Sequence, residues 1–197
     1  MSVFATLGPN GSNHELVTRA YLAFHKAKNA KIHLVDNFIA ALASMKQDEV
    51  DFLVQAAAHS STTQTLAKGF FEHGIHAIDV FIAPSRPLAV LTQLNVEQPK
   101  SIGLQPATRH YTDISRWSNI FEEPNTVAVA QGLLNGRYDS GIVAADLVDI
   151  HPNRFRIGAF LGSVDDPWIV YGKRRLCEGA ILAWPNSPAA ALYRSCH

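Results

Sequence analysis

The sequence has no excess of charge of either sign, because 17 Lys and Arg residues balance 17 Asp and Glu residues. A protein that binds nucleic acid through bulk electrostatics needs a basic surface, so this balance argues against a nucleic-acid partner. Long apolar runs are also missing. No stretch approaches the roughly 18 residues of a membrane-spanning helix, and no basic segment followed by an apolar one marks a signal peptide. We therefore expect a soluble, cytoplasmic protein without a membrane partner.

Cysteine is scarce. The two that occur, Cys177 and Cys196, lie late in the chain and lack the close spacing of a metal-binding pair. Neither a disulfide framework nor a thiolate metal site is indicated. Histidine ligands are disfavoured as well, because His73 and His76 flank a glycine turn and no carboxylate-rich or His-Glu-x-x-His pattern accompanies them. We expect no metal ion and no other cofactor.

A glycine-rich turn near the start of the chain is the most informative motif present. Gly8 and Gly11 lie between a short apolar run and a segment with helical apolar periodicity, which predicts a strand, a tight turn and a helix. Ser12 or Asn13 is suited to cap that helix, whose first-turn N–H groups favour an anion. The glycine spacing matches neither a Walker A loop nor G-x-G-x-x-G. An ordinary capped turn fits the same residues equally well.

Strand-like and helix-like segments alternate along the chain, which predicts mostly parallel sheets with flanking helices. Asn37 and Asn125 are positioned to cap two of the helices. The pattern predicts strands over 31–35, 51–56, 101–104, 119–122, 140–144, 154–161, 168–172 and 180–184. It predicts helices over 38–45, 63–70, 110–117 and 126–134, a short helix that ends at 150, and a last helix that begins at 188.

A proline-flanked segment divides this alternation in two. Pro84 and Pro87 interrupt two apolar runs, which favours a crossing segment between lobes over a central strand. We place a hinge there. The predicted architecture is α/β and two-lobed, with residues 1–83 plus about 163–197 in the first lobe and residues 84–162 in the second. A chain of 197 residues is long enough to bury a core in each.

Three loops are predicted to line one cleft, because ligands bind beyond the carboxyl ends of the strands in open parallel sheets. The loop 56–62 shares that end of its sheet with the glycine-rich turn. The loop 105–109 occupies the corresponding position in the second lobe. Within it, Arg109 could clamp a carboxylate bidentately, although an exposed arginine near a helix start is an equally ordinary interpretation.

These motifs resemble, in order, those of the prephenate dehydratase catalytic domain. Thr6-Leu7-Gly8-Pro9-x-Gly11-Ser12 is similar to its Leu-Gly-Pro-x-Gly-Thr opening, and Val50 to Val54 is similar to its third strand. Gln105-Pro106-Ala107 looks like its His-Pro-Gln-Ala loop, and 125–134 looks like its Ser-Thr-Ala-Glu-Ala-Ala helix. The resemblance covers residues 1–173 and implies a two-lobed fold like that of type II periplasmic binding proteins.

The departures from that family point to a subtype. Ala57-Ala58-His59 stands where dehydratases have Glu-Asn-Ser, and Asp166-Pro167-Trp168 stands where they have Thr-Arg-Phe, whose Thr is implicated as the acid that expels the ring hydroxyl. The chain looks closer to the small stand-alone prephenate decarboxylases of bacilysin-type pathways, which resemble it at Glu15 and from Trp168 to Lys173. This implies a lyase of antibiotic or secondary-metabolite biosynthesis, a homodimer, and no ACT regulatory domain.

The reaction implied is non-aromatising decarboxylation of prephenate to dihydro-4-hydroxyphenylpyruvate. Without an acid at the hydroxyl, the electrons released with CO2 are quenched by protonation of a ring carbon. His59 is the candidate for proton delivery and Asp166 for holding the hydroxyl, although a structural histidine fits His59 equally well. Trp168 could form a wall of the ring pocket or belong to the core. The candidate substrate-binding residues for this small dianion are Gly11, Ser12, Asn13, Glu15, Arg86, Gln105, Thr108, Arg109 and Trp168.

Two other functions remain open at this point. One is an aromatising dehydratase that has recruited another acid, such as Asp166 or His59. The other is a non-catalytic module that binds a small carboxylate on the same two-lobed fold, since fold alone does not determine function. The product formed from prephenate would separate the two enzymes, and binding without turnover would indicate the module.

Overall fold

The computed structural model describes residues 1–195, whose strands form two five-stranded sheets with helices packed against them. Cys196 lies outside the described residues, and Cys177 is exposed. None of the helices within residues 1–195 is long and apolar enough to cross a membrane.

The first sheet has the strand order β2-β1-β3-β10-β4. Strand β1 pairs in parallel with β2 and β3, whereas β10 lies antiparallel between β3 and β4. Its strands are β1 (Val3–Leu7), β2 (Lys31–Val35), β3 (Phe52–Ala56), β4 (His76–Pro84) and β10 (Asp165–Gly172). The helices of this part are α1 (Asn13–Phe24), α2 (Phe38–Lys46) and α3 (Thr62–Lys68), which continues as a π-helical turn (Gly69–His73). Helix α6 (Pro188–Ser195) ends the described part of the chain.

The second sheet has the order β7-β6-β8-β5-β9 and repeats this plan. Strand β6 pairs in parallel with β7 and β8, and β5 lies antiparallel between β8 and β9. Its strands are β5 (Leu88–Gln93), β6 (Ser101–Leu104), β7 (Asn119–Glu122), β8 (Ser140–Ala144) and β9 (Phe155–Gly162). Its helices are α4 (Thr126–Leu134) and α5 (Leu147–Ile150), and a 3-10 turn covers Pro106–Thr108.

The predicted caps account for where three helices begin. The side chains of Ser12, Asn37 and Asn125 each accept a hydrogen bond from the backbone N–H three residues further on. Each bond satisfies a donor that has no partner inside the helix. The helix starts therefore follow from local side-chain chemistry.

Each sheet of the described chain carries a core on both faces. In the first sheet, Val54 and Trp168 pack with residues of α1, while Leu53 and Tyr171 pack with residues of α2. These alternating directions are those of a strand with a period of two. The two-lobed α/β class is confirmed, and each sheet is mixed because one strand enters it antiparallel.

The chain passes between the sheets twice. Strand β4 ends at Pro84 in the first sheet and β5 begins at Leu88 in the second, and the return runs from Gly162 to Asp165. The two passages lie side by side, since the Ser85 N–H donates to the Val164 carbonyl at 2.8 Å. The predicted lobe boundaries, 83/84 and 162/163, coincide with these passages and stay a prediction.

Two predicted elements are absent from the described structure. Residues 110–117 form turns instead of a helix, because the Asp113 carboxylate accepts the Ser115 N–H and the Trp117 indole is buried with its N–H donated to Ser140. Short polar side chains that bond to nearby backbone compete with helix formation in this way. Residues 180–184 form no strand and are exposed, since no sheet edge takes them up.

Candidate functional site

The candidate site lies where the carboxyl ends of β1 and β3 meet the start of α1, the start of β10 and the end of β4. The loops that leave β1 and β3 are residues 8–12 and 57–61. The first passage between the sheets, at Ser85 and Arg86, lies next to them. Parallel strands bring their carboxyl ends to one edge, which is why distant residues converge here.

The start of α1 is held together by three of the predicted binding residues. Ser12 Oγ donates to the Leu7 carbonyl at 2.9 Å and accepts the Glu15 N–H at 3.2 Å. The Glu15 carboxylate accepts the Gly11 N–H at 2.7 Å and pairs with Arg19. These hydrogen bonds hold the pKa of Glu15 below its usual range. Gly11, Ser12 and Glu15 therefore shape the loop, and their polar groups already have partners.

Two donors of the first helical turn remain. Within residues 1–195, the backbone N–H groups of Asn13 and His14 have no hydrogen-bond partner. They point out of the helix N-terminus, where the dipole of α1 favours negative charge. A carboxylate at this end of the sheet would find both donors.

The Asn13 side chain ties α1 to the first passage between the sheets. Its amide Nδ2 donates to Ser85 Oγ at 2.8 Å, and its Oδ1 accepts the Arg86 N–H at 2.9 Å. The Ser85 hydroxyl in turn donates to the Asp166 carboxylate. Asn13 and Asp166, which we predicted separately, thus belong to one network.

Arg86 connects the two lobes. Its guanidinium donates to the Asp146 carboxylate of the second lobe at 2.6 Å and lies 3.4 Å from the Gly11 carbonyl of the first. The pair with Asp146 is half-exposed. Exposed ion pairs contribute only about 0–1 kcal/mol, so an anionic ligand can compete for this guanidinium.

His14 is a site residue that the sequence analysis missed. Its Nε2 accepts the Ala56 N–H at 3.4 Å, and its ring lies 5.0 Å from that of Trp168 and 5.9 Å from that of His59. Burial, and to a smaller extent the neighbouring His59, lower the pKa of His14 to about 3. The imidazole is therefore neutral at physiological pH. Its position two residues after the capping residue Ser12 was the only available signal.

His59 lies beside His14 on the loop that follows β3. Its Nδ1 accepts the Ser61 N–H at 3.2 Å and lies 2.9 Å from Ser61 Oγ. Its ring also contacts Phe38 edge-on at 5.0 Å. Burial lowers the pKa of His59, which favours the neutral imidazole here too.

Trp168 lies against the His14 ring. It is fully buried, stacks on Phe81 at 6.4 Å and meets the His14 ring edge-on. Its indole N–H has no hydrogen-bond partner within residues 1–195. Trp168 is therefore a core residue behind the His14 ring, and its predicted contact with a ligand stays a prediction.

The second lobe contributes the loop that begins at Gln105. Gln105 Oε1 accepts the Ala107 N–H at 2.8 Å, and the buried Thr108 donates its hydroxyl to the Gln105 carbonyl at 2.8 Å. Arg109 ion-pairs with Glu122 at 2.7 Å on the surface. Gln105 and Thr108 therefore build the turn, while Arg109 has a solvent-exposed partner that it can exchange.

Tyr111 is the second site residue that the sequence analysis missed. Burial raises the pKa of its phenol, and the carboxylate of Asp166 raises it further. Since Tyr111 belongs to the second lobe and Asp166 is the second residue of β10, this electrostatic effect acts between the two lobes. That Gln105, Thr108 and Arg109 share a cleft with the loops of the first lobe stays a prediction.

Other surfaces of the described chain show fewer signs of a ligand site. Among residues 1–195, no group of three His, Cys, Asp or Glu side chains lies close enough to hold a metal ion. A depression of about 440 Å³ is lined by Met1, Ser2 and 26–30, at the opposite end of the first sheet. Another of about 300 Å³ is lined by Gln93, Arg154 and their neighbours in the second lobe. Neither contacts the residues of the candidate site.

The fold is similar to several solved structures, whereas no family model and no curated protein matches the chain. A prephenate dehydratase from Arthrobacter aurescens, in complex with L-Phe, has a TM-score of 0.64 at 20% identity over 92% of this chain and 62% of its own. A prephenate dehydratase from Staphylococcus aureus has a TM-score of 0.60 at 14% identity, over 89% of this chain and 67% of its own. An ABC transporter structure from Parabacteroides distasonis has a TM-score of 0.55 at 16% identity, over 90% and 67%.

These similarities establish the fold. This chain spans less than two thirds of the length of the Arthrobacter protein, and the sequence identities are low. The decarboxylase subtype and the homodimer are untested by them and stay predictions. The two sheets and their flanking helices are those of the two-lobed fold shared by prephenate dehydratase catalytic domains and type II periplasmic binding proteins, as the sequence motifs implied.

Proposed function

We propose that the chain binds a small dianion of the prephenate type between its lobes and decarboxylates it while the ring hydroxyl is kept. One observation carries this proposal. The two imidazoles of the site, His14 and His59, both have lowered pKa values and are neutral near pH 7. Neither is then an imidazolium that could protonate a departing hydroxyl.

The bond changes follow from this lack of an acid. The bond between the quaternary ring carbon and its carboxylate breaks, CO2 leaves, and the electron pair moves into the ring. If an acid protonates the hydroxyl at that moment, water departs and the ring becomes aromatic. Without such an acid, a proton from water adds to a ring carbon, and a dihydro ring that still carries its hydroxyl results.

Tyr111 does not supply the missing acid. Its raised pKa makes the phenol a weaker proton donor than an ordinary tyrosine. Asp166 lies close enough to affect that pKa and already accepts a hydrogen bond from Ser85. A carboxylate beside the substrate hydroxyl would accept a hydrogen bond from that hydroxyl. It would also oppose loss of the hydroxyl as hydroxide, because the negative charges of carboxylate and hydroxide would then lie side by side.

The two carboxylates of the substrate need separate partners. The backbone N–H groups of Asn13 and His14 at the start of α1 suit one of them. Arg109, whose partner Glu122 is exposed, suits the other, because exchanging an exposed carboxylate for that of a ligand costs little. The rings of His14 and His59 are partly apolar, so a carboxylate that lies against them is poorly solvated. Poor solvation of the carboxylate favours its loss as CO2.

In this proposal His59 acts as a neutral hydrogen-bond donor. The lowered pKa makes delivery of a proton from its imidazolium unfavourable. Arg86 would add positive charge at the junction of the lobes. Gly11, Ser12, Glu15, Gln105 and Thr108 would support the loops that bear the contacting groups.

The test is a product assay with the full chain and prephenate near pH 7.5. A sample without protein corrects for spontaneous aromatisation, and phenylpyruvate provides the reference ultraviolet spectrum. Consumption of prephenate with CO2 release and no phenylpyruvate supports the proposal. Formation of phenylpyruvate above the background would indicate a dehydratase. A rise in Tm with prephenate but no turnover would indicate a binding module.

A further inference from the structure

A chain of buried hydrogen bonds lies behind His59. We propose that Gln55 and Tyr171, acting through Ser61, are positioning residues that hold His59 as the tautomer with its proton on Nε2. The inference deepens the proposed function and rests on it only for the identity of the substrate. The tautomer itself is a property of the protein alone.

The chain has three links. The Tyr171 hydroxyl donates to Gln55 Oε1 at 3.0 Å, and Gln55 Nε2 donates to Ser61 Oγ at 3.1 Å. Ser61 Oγ lies 2.9 Å from His59 Nδ1. The sheet places the first pair together, because Gln55 is opposite Ile169 and Tyr171 is opposite Leu53, so that both side chains project from the same face on a diagonal.

Hydroxyls and amides alone would allow this chain to run in either direction. In the reverse direction, Tyr171 would accept from Gln55, Ser61 would donate to Gln55, and His59 Nδ1–H would donate to Ser61. The backbone decides between the two. The Ser61 N–H points at His59 Nδ1 at 3.2 Å, and a backbone N–H can only donate. Nδ1 must therefore be the acceptor, which places the proton of the neutral ring on Nε2.

Every other link then has one assignment. The Ser61 hydroxyl donates to Nδ1 and accepts from the Gln55 amide, whose oxygen accepts from Tyr171. Gln55 is 0% exposed and Tyr171 is 1% exposed, so neither can exchange these partners for water. Burial raises the pKa of the Tyr171 phenol and keeps it a donor. A reversed amide would leave a buried group unsatisfied, at about 1–3 kcal/mol.

The consequence is a neutral N–H donor at the edge of the site. Within residues 1–195, His59 Nε2 has no hydrogen-bond partner. It is not a buried atom, so it is open to solvent. The groups that face the ring are the His14 imidazole and Phe38. An Nε2–H held in this way suits a carboxylate or carbonyl oxygen of a bound anion and cannot accept a proton from it.

The tautomer is measured by NMR on protein labelled with ¹⁵N at histidine, through two-bond correlations between ring protons and nitrogens near pH 7.5. We expect His59 as the Nε2–H form in the wild type. Ser61→Ala should move the Nδ1 resonance, because the nitrogen loses one of its two donors. Thr62→Val is the matched control. It removes a buried hydroxyl at the start of α3 that donates to the Ala56 carbonyl at the end of β3, and it should leave the His59 signals unchanged.

Gln55→Glu tests the direction of the chain with an isosteric change. A carboxylate only accepts, so it would take the Ser61 hydroxyl hydrogen and leave the Ser61 N–H as the one donor to Nδ1. We expect the Nδ1 resonance to move as in Ser61→Ala, and the added negative charge to raise the proton affinity of His59 at least tenfold. The proposal is overturned by an Nδ1–H tautomer in the wild type or by an Nδ1 resonance that Ser61→Ala does not move. The role of Gln55 is overturned if Gln55→Glu leaves the Nδ1 resonance and the titration of His59 unchanged up to pH 9.

These readouts need no substrate, so failure of the proposed function leaves them intact. With prephenate, Ser61→Ala should lower kcat/KM about tenfold, which corresponds to one hydrogen bond, while Thr62→Val should not. A protein that shows the expected tautomer and no turnover would refute the proposed function alone.

Discussion

His14 should make the stability of this protein sensitive to mild acid, and His14→Gln should remove that sensitivity. The side chain is buried at the start of α1 and accepts the Ala56 N–H, with a pKa lowered to about 3. Glutamine is neutral at every pH of interest and keeps a carbonyl acceptor. It can destabilise the protein, but by the same amount at each pH.

The sign and size follow from proton linkage. The unfolded chain protonates His14 near its ordinary value of 6.5, whereas the folded chain does not do so until about 3. Between these values the unfolded state binds more protons, so stability falls as the pH falls. A pH of 5.0 lies about 1.5 units below the ordinary pKa of 6.5, so protonation of His14 stabilises the unfolded state by about 2 kcal/mol. At pH 7.5 the contribution is close to zero.

Urea unfolding followed by circular dichroism at pH 7.5 and 5.0 measures this difference. We expect the free energy of unfolding to fall by about 2 kcal/mol more in the wild type than in His14→Gln. His33→Gln, at an exposed position on β2, is the control and should behave like the wild type. If wild type and His14→Gln lose the same free energy between the two pH values, the burial of a neutral imidazole at this position is refuted.

Three further changes have distinct expected results. Arg109→Ala should raise the KM for prephenate at least tenfold, whereas Arg137→Ala, which breaks an arginine–glutamate ion pair elsewhere in the second lobe, should not; an unchanged KM would remove Arg109 from the site. Ser12→Ala should lower the free energy of unfolding by about 1 kcal/mol in a urea titration, because α1 loses its cap, and no change would show that the cap is dispensable. Gly103→Ala should destabilise by about 1–3 kcal/mol, since its new methyl group would overlap the Tyr138 ring, and a wild-type Tm would contradict that packing.

The sequence predicted those parts of the fold that local chemistry controls. Strands β2, β6, β7 and β8 have the predicted bounds, and Ser12, Asn37 and Asn125 cap the helices as expected. A capping side chain and an apolar β-branched run act within a few residues, so a single sequence reveals them. The two-lobed class followed from the alternation of strands and helices on either side of the proline-flanked segment, and the family resemblance implied the same fold.

The remainder depends on contacts between distant residues. The segment 110–117 has apolar spacing compatible with a helix, but burial of Trp117 against Ser140 of β8 overrides it. Gln55 and Tyr171 are 116 residues apart in sequence, so no local pattern could connect them. His14 resembled any polar residue in a first helical turn until Ala56 and Trp168 were found beside its ring.

The central claim is that the site removes CO2 from a prephenate-type dianion without expelling the ring hydroxyl. Proton NMR of the reaction run in D2O tests it most directly. The account predicts a non-aromatic product that keeps its carbinol proton and carries one deuterium on a ring carbon. Aromatic phenylpyruvate signals above the protein-free background, or prephenate that remains unchanged, would contradict it.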